Sequence, residues 1–90
     1  MSGAGEPTGP AAPSRVVDAL GTWCPVPIRL LDRAARGLRA GAVLDLLATD
    51  PLIRVDLPAW CHRTGHELVW LREVEARGRD EFAARVRLTT

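Results

Sequence analysis

Residues 21–31 read GTWCPVPIRLL, a cysteine followed by two prolines spaced i, i+2 and then by an apolar run. A thiol is the most nucleophilic side chain this stretch offers, and its reactive form is the thiolate. Proline fixes its own φ and lacks an N–H, so Pro25 and Pro27 suit the first turn of a helix, where the N–H groups have no internal partner anyway. Cys24 then stands at or beside a helix N-cap, facing the positive end of the dipole. A thiolate placed there gains about 0.3–1 kcal/mol when exposed and up to about 2 when partly buried, which lowers a thiol pKa by a few tenths to about 1.5. The N–H groups of Cys24 and Val26 are the donors expected to face the sulfur. Cys24 is thus the candidate nucleophile, with Pro25, Val26 and Pro27 as its supporting helix start. Trp23, beside it in a loop after Gly21 and Thr22, is a candidate docking surface, because aromatics at interface centres carry much of the binding energy.

The other chemistry-bearing residues are fewer. Cys61 shares an apolar helical stripe with Ile53 and Trp60 and is expected in the core. His62 and His66 are the only histidines available to pair with a thiol. His66 follows Gly65 at a strand start, where a hydrogen-bonding role is expected. The spacing of Cys24, Cys61, His62 and His66 matches none of the usual zinc ligand pairs, so no metal is expected.

Composition bounds the rest. The chain has 90 residues and a formal net charge of +1, and all of its Lys+Arg residues are Arg. Neither nucleic acid nor membrane is expected as a bulk electrostatic partner. No stretch approaches the roughly 18 apolar residues of a membrane span. Residues 1–14, MSGAGEPTGPAAPS, hold no large apolar run and one charge; they cannot bury enough surface to offset their ordering entropy and are expected to form a disordered tail. That tail lacks the basic and apolar regions of a secretory signal. The expectation is a cytoplasmic chain with two reduced thiols, in which residues 15–90 form one small domain.

The elements that position Cys24 follow from periodicity. RVVDAL at 15–20 is a β-branched run closed by Gly21, a first strand. Ile28, Leu31, Ala34, Ala35 and Leu38 form one stripe of an amphipathic helix, which Gly37 or Gly41 ends. AVLDLLA at 42–48 is a buried strand. Asp50 and Pro51 open a second helix, whose stripe is Ile53, Leu57, Trp60, Cys61 and Thr64. Pro58 inside it costs about 3 kcal/mol in a helix interior, so a kinked or two-part element is expected, with Asp56 as a cap near Pro58. Gly65 ends it. Leu68, Trp70 and Val74 are expected on one face of a third strand, and Phe82, Ala84, Val86 and Leu88 alternate as the buried face of a fourth. The order β-α-β-α-β-β defines an α+β protein, a two-layer sandwich with both helices on one sheet face.

The boxes ALGTWCPVPIRLL and ATDPLIRVDLPAWCHRTGHELV closely resemble the TusA (SirA-like) family of small sulfur carriers. The family's D-x-x-G-x-x-C-P-x-P box matches Asp18, Gly21, Cys24, Pro25 and Pro27; its D-P element, following Asp and Gly-His pair match Asp50, Pro51, Asp56, Gly65 and His66. The match covers about residues 15–88. It implies a fold like the C-terminal domain of translation initiation factor 3, with a mixed four-stranded sheet. It also implies a stoichiometric sulfurtransferase-type carrier, not an independent catalyst. Cys24 would accept a persulfide sulfur from a cysteine desulfurase or rhodanese-type donor and relay it to an acceptor protein, toward tRNA thiolation or cofactor sulfuration. No cofactor is implied beyond the covalent persulfide. Trp23 stands where members of the tRNA branch often carry a basic residue. Asp50, Asp56 and His66 are read as structural, as caps and a strand-end hydrogen bond. The competing readings are a thiol redox pair of Cys24 with Cys61, and a regulatory binding module without sulfur transfer.

Overall fold

The computed structural model describes residues 13–76 and 78–89; most of the expected tail, residues 1–12, lies outside them. Its elements are β1 (Arg15–Ala19), α1 (Val26–Arg36), β2 (Val43–Ala48), α2 (Ile53–Thr64), β3 (Glu67–Ala76) and β4 (Arg79–Arg87). The sheet order is β1-β2-β4-β3. β1 runs parallel to β2, with Val17 opposite Leu46, while β4 is antiparallel to both β2 and β3. The sheet is mixed, and β1, β2 and β3 share one direction. Ser14, just before β1, is already tied to the sheet, its N–H donating to Val43 O at 2.8 Å.

Strand alternation builds the core. Leu44, Leu46 and Ala48 of β2 and Phe82, Ala84 and Val86 of β4 are buried against Leu31 and Ala34 of α1 and Leu57 and Trp60 of α2. Residues between them point to the open sheet face, where Arg85 pairs with Asp45 at 2.7 and 3.0 Å. Trp60 is almost fully buried, and its indole N–H donates to Asp32 Oδ1 at 3.2 Å, locking α2 to α1. Cys61 lies in the same core, and burial pushes its thiol up to about 11.

Two expectations change. α2 is one continuous helix from Ile53 to Thr64 with Pro58 inside it. The hydrogen bond that proline removes would end on the Arg54 carbonyl, four residues earlier. Arg54 and Pro58 both lie on the exposed side, where solvent can take the place of the missing donor, and the helix continues without a break. Asp56 is therefore not a cap near Pro58; it sits in the first turn of α2. On β3, Leu68, Trp70 and Val74 do not share a face. An irregularity falls between Leu68 and Trp70 in the pairing with β4, and the extra residue, Val69, shifts the alternation by one. Leu68 and Leu71 pack on the core, whereas Trp70 stands opposite Arg85 and its ring meets Arg72 at 4.1 Å.

The topology has one consequence for chemistry. Each helix follows a strand and returns against it, and those strands, β1 and β2, are parallel. Both helix N-termini therefore open at the same edge of the sheet.

Candidate functional site

The segment from β1 to α1 is held in place by the end of β2. Asp18 Oδ1 accepts the N–H of Leu20 at 3.0 Å. Gly21 turns the chain with φ +79°, a conformation that costs glycine little, and its N–H donates to Thr49 Oγ1 at 2.9 Å. The Cys24 N–H donates to Asp50 Oδ2 at 2.6 Å. The other oxygen of the same carboxylate accepts the Leu52 N–H at 3.0 Å. Asp50 is only 5 % exposed. One buried carboxylate thus fastens the N-terminal ends of both helices.

This geometry corrects the expected source of thiolate stabilisation. The Cys24 N–H belongs to Asp50, and the Val26 N–H donates to Trp23 O at 2.8 Å. Neither is left for the sulfur. Pro25 is the N-cap, with a cis Cys24–Pro25 peptide bond and no side-chain cap, and Pro27 is the second helical residue and buried. Pro51 stands in the turn before α2, whose N-cap is Leu52.

The electrostatics also reverse. A hydrogen bond to the Asp56 carboxylate, then desolvation, then the charges of Asp56 and Asp50 raise the Cys24 thiol above its ordinary value. Negative charge beside a thiol disfavours its thiolate, and both carboxylates act in that direction here. Removing one negative charge lowers the thiol pKa and enlarges the thiolate fraction at any pH below it. Asp56→Asn is therefore expected to react faster with iodoacetamide near neutral pH, with its rate-against-pH midpoint moved down. An unmoved or raised midpoint would show that Asp56 does not act on the sulfur.

Cys24 is exposed, and its surroundings are apolar as well as acidic. Trp23 is 66 % exposed, Val26 38 %, Leu52 53 % and Val55 67 %. All four sit where the helices begin, at one sheet edge. Sequence reasoning named Trp23 for this surface, named Val26 only as a backbone donor at the helix start, and missed Leu52 and Val55. Their signal was present, since both fall outside the buried stripe of α2, on a side that a solvated helix would make polar.

The edge gathers Trp23, Cys24, Pro25, Val26, Asp50, Pro51 and Asp56. Gly65 and His66 lie at the far end of α2. Gly65 ends that helix with φ +82°, its N–H donating to Cys61 O at 2.8 Å. His66 Nδ1 accepts the Thr89 N–H at 3.2 Å, and its ring packs 5.2 Å from that of Trp60. Among the described residues no cluster of three His, Cys, Asp or Glu side chains is placed to hold a metal ion. Cys24 and Cys61 are both free thiols. No helix among the described residues is long and apolar enough to cross a membrane.

A two-layer α+β domain that sets one exposed thiol at the edge where two helices begin has the form of a small thiol carrier. The model of the family described as Sulfurtransferase TusA matches residues 15–87, and the chain belongs to that family of sulfur carriers. It is similar to the sulfur carrier protein TusA of Pseudomonas putida strain GB-1, 44% identical over 61 residues that cover 68% of this chain and 76% of the relative. It is likewise similar to that of Pseudomonas syringae pv. syringae, 47% identical over 53 residues, covering 59% and 63%. The SirA-like protein from Desulfitobacterium hafniense shares the fold with a TM-score of 0.66 at 22% identity, over 84% of this chain and 99% of that one.

Proposed function

We propose that Cys24 carries sulfane sulfur between proteins. The Cys24 sulfur attacks the outer sulfur of a donor persulfide; a new S–S bond forms at Cys24, and the donor's inner sulfur leaves as a thiolate that takes up the released proton. In this reading Asp56, the hydrogen-bond partner of the thiol, takes up that proton as the sulfur attacks and passes it on. An acceptor thiolate then attacks the outer sulfur of the Cys24 persulfide, and Cys24 leaves as the thiolate. No net oxidation occurs, and no cofactor is used beyond the covalent persulfide. The donor is a cysteine desulfurase or rhodanese-type protein and the acceptor a protein thiol, in a relay toward tRNA thiolation or cofactor sulfuration.

The observation that carries this reading is the exposed thiol bordered by Trp23, Val26, Leu52 and Val55. Such a rim fits a protein surface that closes over the sulfur. A redox partnership with Cys61 is disfavoured by the burial of that thiol in the core. Incubation with a cysteine desulfurase and cysteine, followed by intact-mass analysis, tests the chemistry; a chain that stays at its original mass would overturn it.

Trp23 separates docking from stability. Because the ring is mostly in solvent, Trp23→Ala is expected to change the melting temperature by less than about 2 °C, well below the shift from losing a packed aromatic. Transfer from the protein donor is expected to slow by about tenfold or more. A large drop in melting temperature with transfer unchanged would place the ring in the core instead.

A further inference from the structure

The positive charge of this chain is not spread evenly. Arg29, Arg33 and Arg36 of α1 and Arg63 of α2 line a groove of about 550 Å³ between the two helices, with Asp32 and Trp60 beneath them. The groove's one carboxylate is already engaged: Asp32 Oδ2 accepts from Arg36 at 2.8 Å and Oδ1 from the Trp60 indole at 3.2 Å. Arg29, Arg33 and Arg63 are exposed and have no ion-pair partner among the described residues.

Fold stability explains only part of the arrangement. Cations in the last turn of a helix favour its dipole, which accounts for Arg33, Arg36 and Arg63. Arg29 is in the early part of α1, where a cation is unfavourable, and it stands i, i+4 from Arg33. Like charges at that spacing on a helix repel and are destabilising. In a chain of net charge +1, four guanidinium groups on one groove form a concentrated field.

We propose that this groove binds a carboxylate-rich segment of a protein that docks at the Cys24 edge. Both helices start at that edge, so the groove runs away from the thiol along α1. The seven-residue step from Arg29 to Arg36 spans about 10 Å, the reach of three or four extended residues. Guanidinium groups pair with carboxylates in bidentate fashion and keep their charge at every working pH. RNA is the weaker candidate, because binding bases calls for an exposed ring to stack on, and the groove's one aromatic, Trp60, is 1% exposed.

The proposal rests on the sulfur-carrier reading only for its docking partner, and its test involves no sulfur. A fluorescent Glu-rich peptide is titrated with the full chain at low and at physiological salt, with an oligouridine of equal charge as competitor. The double variant Arg33→Glu with Arg63→Glu is compared with Arg72→Glu with Arg87→Glu, an equal charge change on exposed sheet residues. The groove variant is expected to weaken peptide binding by about tenfold or more, and the sheet variant by about twofold or less. Circular dichroism confirms that both remain folded. Equal weakening by the two variants, absence of binding to the unaltered chain, or tighter binding of the oligouridine would overturn the proposal. Groove-dependent binding in a chain that fails to take up sulfur would count against the carrier reading alone.

Discussion

Cys24→Ser is expected to abolish sulfur loading while leaving the fold intact. The unaltered chain should gain about 32 Da, one sulfur atom, when given a persulfide donor, and the variant should gain none. The fold should survive because Cys24 is exposed and its structural contribution is a backbone one, the N–H given to Asp50. Serine keeps that N–H and nearly the same volume. Cys61→Ala is the matched control: it empties part of the core, and a loss of about 1–2 kcal/mol is expected for so small a truncation, with loading retained. A Cys24→Ser chain that still gains the mass would move the site elsewhere. Loading that disappears in a folded Cys61→Ala chain would favour a two-cysteine redox cycle.

Asp50→Ala is expected to be the most damaging substitution at the site. The carboxylate is 5% exposed and accepts the N–H groups of Cys24 and Leu52. Alanine leaves both donors unpaired, at about 1–3 kcal/mol for each buried one. We expect a loss of about 2–4 kcal/mol, which at 4–8 °C per kcal/mol lowers the melting temperature by roughly 8–32 °C. Asp50→Asn, which can still accept one of the two bonds, should fall between. In folded molecules of either variant the thiol should titrate lower than in the unaltered chain, because one of the charges that raise it is gone. A melting temperature within a few degrees of the unaltered protein would show that water replaces the carboxylate and that Asp50 does not hold the two helix N-termini together.

Most of the elements were legible because their signals are local. The strict alternation of Phe82, Ala84, Val86 and Leu88, the stripe Leu31–Ala34 of α1, and the left-handed Gly65 each depend on neighbours a few residues away. The Pro-x-Pro collar that sets Cys24 at a helix start is equally local. What failed was not. The side on which Trp70 emerges depends on an irregularity set by pairing with β4, and no period within β3 alone announces it.

The order of elements, the position of Cys24 at the head of α1 and the family can all be read from the amino-acid sequence, since each is carried by contiguous motifs. What surrounds that thiol is a matter of the folded arrangement alone. The parallel pairing of β1 with β2 brings Asp50, 26 positions further along the chain, onto the Cys24 N–H and sets Asp56 against its thiol. From the sequence the sulfur faces a helix terminus and its pKa should fall; in the fold it faces two carboxylates and its pKa rises. Charges act through space, so the sign of the perturbation is settled by which loops share an edge, and strand order is where that information resides.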